Sequence, residues 1–303
     1  MSAAVSASSP RLPPELECAV FQHIALLHPT SIPKLMLVAT RVRDWVEPLL
    51  YRVVFLSFWD TNPKRRHGFP VLSPNMFLQK IAGKSPSFLQ AAVKYLFVDS
   101  ARPSVKIVTL NSVLAACPGV THLFIHHQCP SPKILANLRF LCRLAIPIEL
   151  MCDQNALQCT APLFQNITHL RLRGHEQNID IRRIWASLSD MPKLTHVGFD
   201  TPAIISLTPA SMQENKRLQC IVHISWGDET VYDEDDADLF RPLADDLRFV
   251  CIELWTDYHL LWLRGAELAE GDDYWALAEA FIAAKLAGRV DRSCYSISEG
   301  DDF

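Results

Sequence analysis

Glycine is scarce in this chain, ten residues in 303, and the scarcity excludes a set of functions. Phosphate-cradling loops need glycines so that the backbone can approach the ligand, and no complete G-x-x-x-x-G-K-[ST] loop occurs. The G-x-S-x-G elbow and H-E-x-x-H are absent too; His175-Glu176 has no second histidine behind it. Nine cysteines are scattered without a C-x-x-C, so neither a zinc ribbon nor a redox pair is indicated. They read as reduced, buried small side chains of a cytoplasmic or nuclear protein. Long apolar runs are missing: the best, Trp275 to Leu286, is cut by Glu279 and Lys285, so no membrane span is expected. A net charge of −4 gives no reason to expect nucleic acid. Met1 to Pro10 carries no charge and no apolar run, and reads as a tail, not a signal peptide. Asn166-Ile167-Thr168 fits a glycosylation acceptor but has no secretory context. What remains is a chain without an expected cofactor, metal or enzymatic signature.

A short phrase recurs instead. Val120-Thr121-His122-Leu123-Phe124-Ile125 is echoed by Ile167-Thr168-His169-Leu170-Arg171-Leu172 and Leu194-Thr195-His196-Val197-Gly198-Phe199. Each reads apolar-x-x-apolar-x-apolar, and the last two apolar positions share one face of a strand. Weaker copies place the middle anchors at 96, 123, 144, 170, 197, 221 and 250, with gaps of 27, 21, 26, 27, 24 and 29 residues. The copy at Leu218, Ile221 and His223 fails at its last position. Such gaps match one strand plus one helix per leucine-rich repeat; an ordinary α/β domain that reuses a strand phrase is the alternative. Stripes such as Ile107/Leu110/Leu114/Cys117 and Ile181/Ile184/Leu188/Met191 predict helices over one sheet face, and prolines between units mark turns. The expected fold is α/β: a tail at 1–10, a three-helix unit at 11–58, a linker with a short helix at 59–86, an irregular solenoid at 87–290 closed by a C-terminal helix, and an acidic tail at 291–303.

The first unit opens with Leu12-Pro13-Pro14-Glu15-Leu16, where proline suits a first helical turn. Leu16, Val20 and Ile24 recur at four-residue spacing with Phe21 beside them. His28-Pro29 stops this helix; Leu35 and Val38 mark a second, and Pro48-Leu49-Leu50-Tyr51-Arg52 closes a third. The stretch resembles an F-box, and its wider pattern is similar to the F-box-like proteins multiplied in mushroom-forming fungi. The position where that motif usually has tryptophan is Val42; the nearest tryptophan is Trp45. The resemblance implies docking to the Skp-type adaptor of a cullin–RING ubiquitin ligase through Leu12, Pro13, Leu16, Val20, Phe21, Leu35, Val38, Leu49, Leu50 and Tyr51. The other reading of the same segment is a helical cap on the solenoid.

On each predicted strand the residues between anchors point away from the helices, which in a solenoid is the concave surface. These are Tyr95, Phe97, His122, Phe124, Arg143, His169, Arg171, His196 and Phe249, side-chain types favoured at binding hot spots. A protein substrate is expected there. A zinc site from His122, His169 and His196 is excluded by spacing: neighbouring strands lie about 4.8 Å apart, and the Arg143 strand stands between the first two. Asp228 to Asp238, with seven carboxylates, is expected to be a solvated loop without metal. The sequence therefore points to a non-enzymatic ligase adaptor. A plain interaction protein and, more remotely, a hydrolase using the concave histidines are its rivals.

Overall fold

The computed structural model describes residues 12–58, 65–67, 69–99, 107–126, 130–148, 162–174, 181–201, 215–226, 240, 243–266 and 272–303. The N-terminal tail, Lys64, Leu239 and the Asp228–Asp238 run lie outside them. Three helices come first, α1 (Pro14–Leu27), α2 (Ile32–Leu35) and α3 (Thr40–Leu50). They enclose a small core of Ala25, Ile32, Val42 and Val46, with Phe21, Leu35, Trp45 and Leu49 packed against it.

The rest is built on one open sheet of eleven strands. In chain order these are β1 (Val53–Ser57), β2 (Arg65–Arg66), β3 (Phe69–Leu72), β4 (Tyr95–Asp99), β5 (His122–Ile125), β6 (Arg143–Pro147), β7 (His169–Arg173), β8 (His196–Phe199), β9 (Cys220–Trp226), β10 (Phe249–Leu254) and β11 (Ser296–Ser298). From β4 to β11 the order in space is the order in the chain; β1 lies beside β4, then β3, then β2. Every pairing is parallel except β2 with β3.

The repeated phrase sets the register. Leu96, Leu123, Leu144, Leu170, Val197 and Ile221 pair in one continuous row, as the spacing predicts. Helices α4 (Pro74–Ile81), α5 (Pro86–Ala92), α6 (Ile107–Ala116), α7 (Pro132–Leu135) and α8 (Ile181–Ser189) lie in the connections. Phe77, Leu89, Leu110, Leu114, Ile184 and Leu188 from these helices or their turns join that row in the largest core. Burying such a side chain contributes about 1.5–3 kcal/mol. Ser73 and Ser85 cap α4 and α5 by accepting from Met76 N–H and Phe88 N–H. The units approach closely: a Cβ at Gly119 would stand 1.8 Å from the Gln90 carbonyl oxygen.

Four expectations need correction. The seventh anchor is Phe249, not Val250: Phe249 pairs with Ile221 and packs against Phe240 and Tyr295 on the helix face. Strand β10 is apolar at both parities, so alternation could not choose between its faces. Residues 69–72 form strand β3 inside the expected linker, for which the sequence predicts only a short helix. The tail at 291–303 is tied down by β11, and Phe303 packs edge-on against Phe281. Last, the C-terminal helix does not close the end of the array. Helix α10 (Tyr274–Leu286), with an unforeseen α9 (Tyr258–Gly265), covers the second face of the sheet. Among the described residues, no helix is long and apolar enough to cross a membrane.

Candidate functional site

The second face carries two rows of side chains. Tyr95, His122, Arg143, His169 and His196 stand in register across β4 to β8, and two residues further along are Phe97, Phe124, Ala145, Arg171 and Gly198. The recurrent Thr-His pair has a physical basis. Thr121, Thr168 and Thr195 each place their hydroxyl on a carbonyl of the preceding strand, of Lys94, Cys142 and Thr168 respectively. Each hydroxyl also meets Nδ1 of the following histidine, at 2.8–2.9 Å. Where the hydroxyl donates to the carbonyl, Nδ1 of His122 and His169 donates to the hydroxyl, and the ring orientation is fixed.

Helices α9 and α10 roof these rows. Phe97 and Phe124 stack at 4.3 Å, and Trp262 sits edge-on to Phe55 and Phe97. Trp275 sits edge-on to His169 and His196, whose rings stack at 4.1 Å. A side chain at Gly198 would press on Trp275, 3.1 Å from the added Cβ. An ion pair and a hydrogen bond fasten the roof: Arg143 to Asp273 at 2.9 Å and His196 Nε2 with Glu279 at 2.9 Å. Asp273 also caps α10 by accepting from Ala276 N–H. At the start of α9, His259 is wedged between Asp257, 2.6 Å from Nδ1, and Asp99, 4.0 Å from Nε2. Arg66 of β2 reaches the same group, touching both His259 and Asp257.

Burial dominates the protonation of this face. Burial, then the neighbouring Arg143, pushes His122 down to about 3. Burial and the adjacent His196 push His169 down to about 2. Burial also lowers His196, against the pull of Glu279. Burial thus favours the neutral form of His196, whose Nε2 faces the Glu279 carboxylate.

The expected partner surface is therefore divided. Phe97, Phe124, Arg171 and His196 are buried beneath the helices, and Phe249 points into the opposite core. These five offer no free surface, because the mixed polar positions meet a roof from the same chain instead of water. Tyr95, His122, Arg143 and His169 remain half-buried at the rim of the cleft.

In the N-terminal unit the expected docking residues also divide. Leu12, Leu16, Val20, Val38 and Leu50 are exposed, at 58, 54, 48, 61 and 41 %, and Pro13 is exposed with them. Phe21, Leu35 and Leu49 pack on the inner core, with Phe21 6.5 Å from the Trp45 ring. Tyr51 turns the other way, to the Phe88 ring at 5.5 Å. Val42 is fully buried at the centre of the three helices.

His223 Nδ1 lies 3.4 Å from Cys251 Sγ, the pairing of a thiol nucleophile and its base. Burial pushes that thiol up to about 12 and that imidazole down to about 4, so the pair is held neutral. Gly83-Lys84-Ser85 precedes α5, but Leu78 stands where a phosphate loop has its first glycine. Lys84 is engaged by Glu47 at 2.6 Å and lies over the Phe88 ring. No group of three or more histidine, cysteine or acidic residues is placed to hold a metal ion among the described residues. No protein-family model matches the chain, and no curated protein matches it.

Proposed function

We propose that this chain is a non-enzymatic substrate-recognition adaptor of a cullin–RING ubiquitin ligase. Helices α1 to α3 act as an F-box-like unit that docks the Skp-type adaptor, and the sheet with its helices acts as an irregular leucine-rich-repeat-like solenoid. One observation carries the reading. Of thirteen large apolar side chains exposed among the described residues, seven lie between Leu12 and Leu50. A unit this small cannot spare apolar surface from its own core unless a partner covers it. Leu12, Leu16 and Val20 recur every fourth residue on or just before α1, the stripe a helix presents to a groove. The half-buried Tyr95, His122, Arg143 and His169 are the contacts retained for a protein substrate. The chain then supplies proximity and orientation, and the chemistry belongs to its partners. The cysteines among the described residues are free, which suits the cytoplasm or nucleus.

A second reading, a helical cap on a plain interaction protein, is favoured by the attachment of α3 to the linker helices. Glu47 pairs with Lys84, and Tyr51 packs edge-on to Phe88. The two readings separate on the double variant Leu16→Ser with Val20→Ser in the full chain. Both side chains are half exposed, so the melting curve should hold while adaptor binding is lost. Truncating one central apolar anchor costs about 1–4 kcal/mol of binding. If wild type fails to bind the adaptor at high micromolar concentration, the ligase reading falls and the cap remains.

A further inference from the structure

Arg171 and Arg173 sit two residues apart on β7 and share a single carboxylate. Arg171 Nε donates to Asp200 Oδ1 at 2.8 Å, and Arg173 Nε donates to Asp200 Oδ2 at 3.0 Å. Their side chains are 3 % and 11 % exposed, and that of Asp200 is 14 % exposed. Two guanidiniums against one carboxylate leave a surplus positive charge in a dry site, and a buried charge is costly unless matched. The described neighbours do not match it. Arg143 is already paired with Asp273, and burial keeps His122 and His169 neutral. Arg171 lies over the Trp226 and Tyr274 rings, and Arg173 over Phe124 and Tyr258, all of which are uncharged.

The hydrogen bonds are incomplete as well. The Tyr274 hydroxyl engages the Arg171 side chain, but Arg171 Nη2 and Arg173 Nη1 are buried with no hydrogen-bond partner among the described residues. Native proteins rarely leave such donors empty, and a missing ion or ligand is one of the standard reasons. Space exists beside Arg171. A cavity of about 40 Å³ lies between the second face and the two covering helices, lined in part by Arg171, Ala145, Phe124, Tyr258 and Tyr274. Ala145 makes the room: it stands in register between Phe124 and Arg171, where any larger side chain would fill the gap. At roughly 10–15 Å³ per water, the cavity takes a few waters or one small charged group.

We propose that this cleft is a binding site for one oxyanion group, a phosphate or a carboxylate, received by Arg171 with Arg173 behind it. The planar guanidinium and its fork of donors suit both chemistries. The site is independent of the adaptor reading.

The full-length chain is titrated with sodium phosphate, sodium acetate or sodium chloride at equal ionic strength, followed by calorimetric binding and the melting temperature. A saturable rise with phosphate marks a phosphate site, and a saturable rise with acetate alone marks a carboxylate site; chloride should give neither. Ala145→Leu fills the cavity while both arginines are retained and should weaken binding at least about tenfold. Arg171→Met removes the surplus charge and leaves Arg173 and Asp200 as a neutral pair. It should abolish the anion response and melt no lower than wild type without anion. The proposal is overturned if wild type shows no saturable response to either oxyanion, or if either variant keeps wild-type affinity.

Discussion

On one face of the sheet Leu96, Leu123, Leu144, Leu170, Val197 and Ile221 meet an almost wholly apolar surround. One residue away on the same strands, Tyr95, His122, Arg143, His169 and His196 meet rings, carboxylates and one another. Both faces are covered by helix, but by different chemistry. The first is held by area, which tolerates small shifts in position. The second is held by pairing, which fails when one member is removed. A face of the first kind repeats in sequence because the demand on every strand is identical. A face of the second kind does not, because each position answers to one partner far along the chain.

The sharpest test of the contrast is Leu170→Asp. It places an unpaired carboxylate in the aliphatic row at a cost of several kcal/mol, against a total stability of about 5–15 kcal/mol. The full chain should lose its cooperative melt. A retained melt would mean that this row is not the core.

Next in size is Asp200→Asn on the second face. It leaves two buried guanidiniums without their counter-charge, and breaking such a group costs about 3–5 kcal/mol. Burial opposes ionisation of this carboxyl, yet Arg171 and Arg173 hold it below its ordinary value. The urea midpoint should fall clearly. A change within error would show that pairing contributes little here.

Acid should separate the faces further. His122, His169 and His223 titrate near 3, 2 and 4 in the folded chain and near about 6.5 when unfolded. Below that value the unfolded chain takes up protons that the folded chain refuses. Stability therefore declines as pH falls from about 6.5 toward 4, by up to about 1.4 kcal/mol per pH unit per histidine. Urea midpoints at pH 7.5, 6 and 5 should drop in order, and His122→Gln should flatten the slope. A flat profile in wild type would mean these rings are solvated.

The smallest effect belongs to Glu279→Gln. That carboxylate is 56 % exposed, so losing its charged hydrogen bond with His196 should cost under about 1 kcal/mol. A larger loss in thermal melts would make this rim pair a keystone of α10.

The repeating part of the fold was legible for a physical reason. The Thr-His-Leu phrase combines a hydroxyl that bridges strands, an imidazole it orients and an anchor that must be buried, and each copy performs the same task. Strand β10 broke the reading because Phe249, Val250, Cys251 and Ile252 are buried on both faces. Helix α9 escaped notice because Tyr258-His259-Leu260-Leu261-Trp262-Leu263 is apolar or ring-bearing on every side, so no amphipathic period marks it. The covering of the second face was hidden as well. Arg143 and Asp273 are 130 residues apart, and His196 and Glu279 are 83 apart. Local spacing reads such positions as solvated. The surplus of arginine over acid on β7 was visible as Arg171-Leu172-Arg173, but its burial was not.

The order in which the two faces are completed follows from the position of α9 and α10 near the C-terminal end of the chain. The aliphatic face receives its helices from the connections between strands and can close unit by unit as the polypeptide leaves the ribosome. The aromatic face stays bare until residues 258–286 have emerged. During that interval the stacked pair Phe97 and Phe124, with Phe55 beside them, faces water on a growing parallel sheet, the kind of surface that recruits chaperones or self-associates. A stop codon anywhere upstream of Tyr258 would make that interval permanent. Such a fragment should be handled by the cell as an aggregation hazard, even with every repeat phrase up to Phe199 intact.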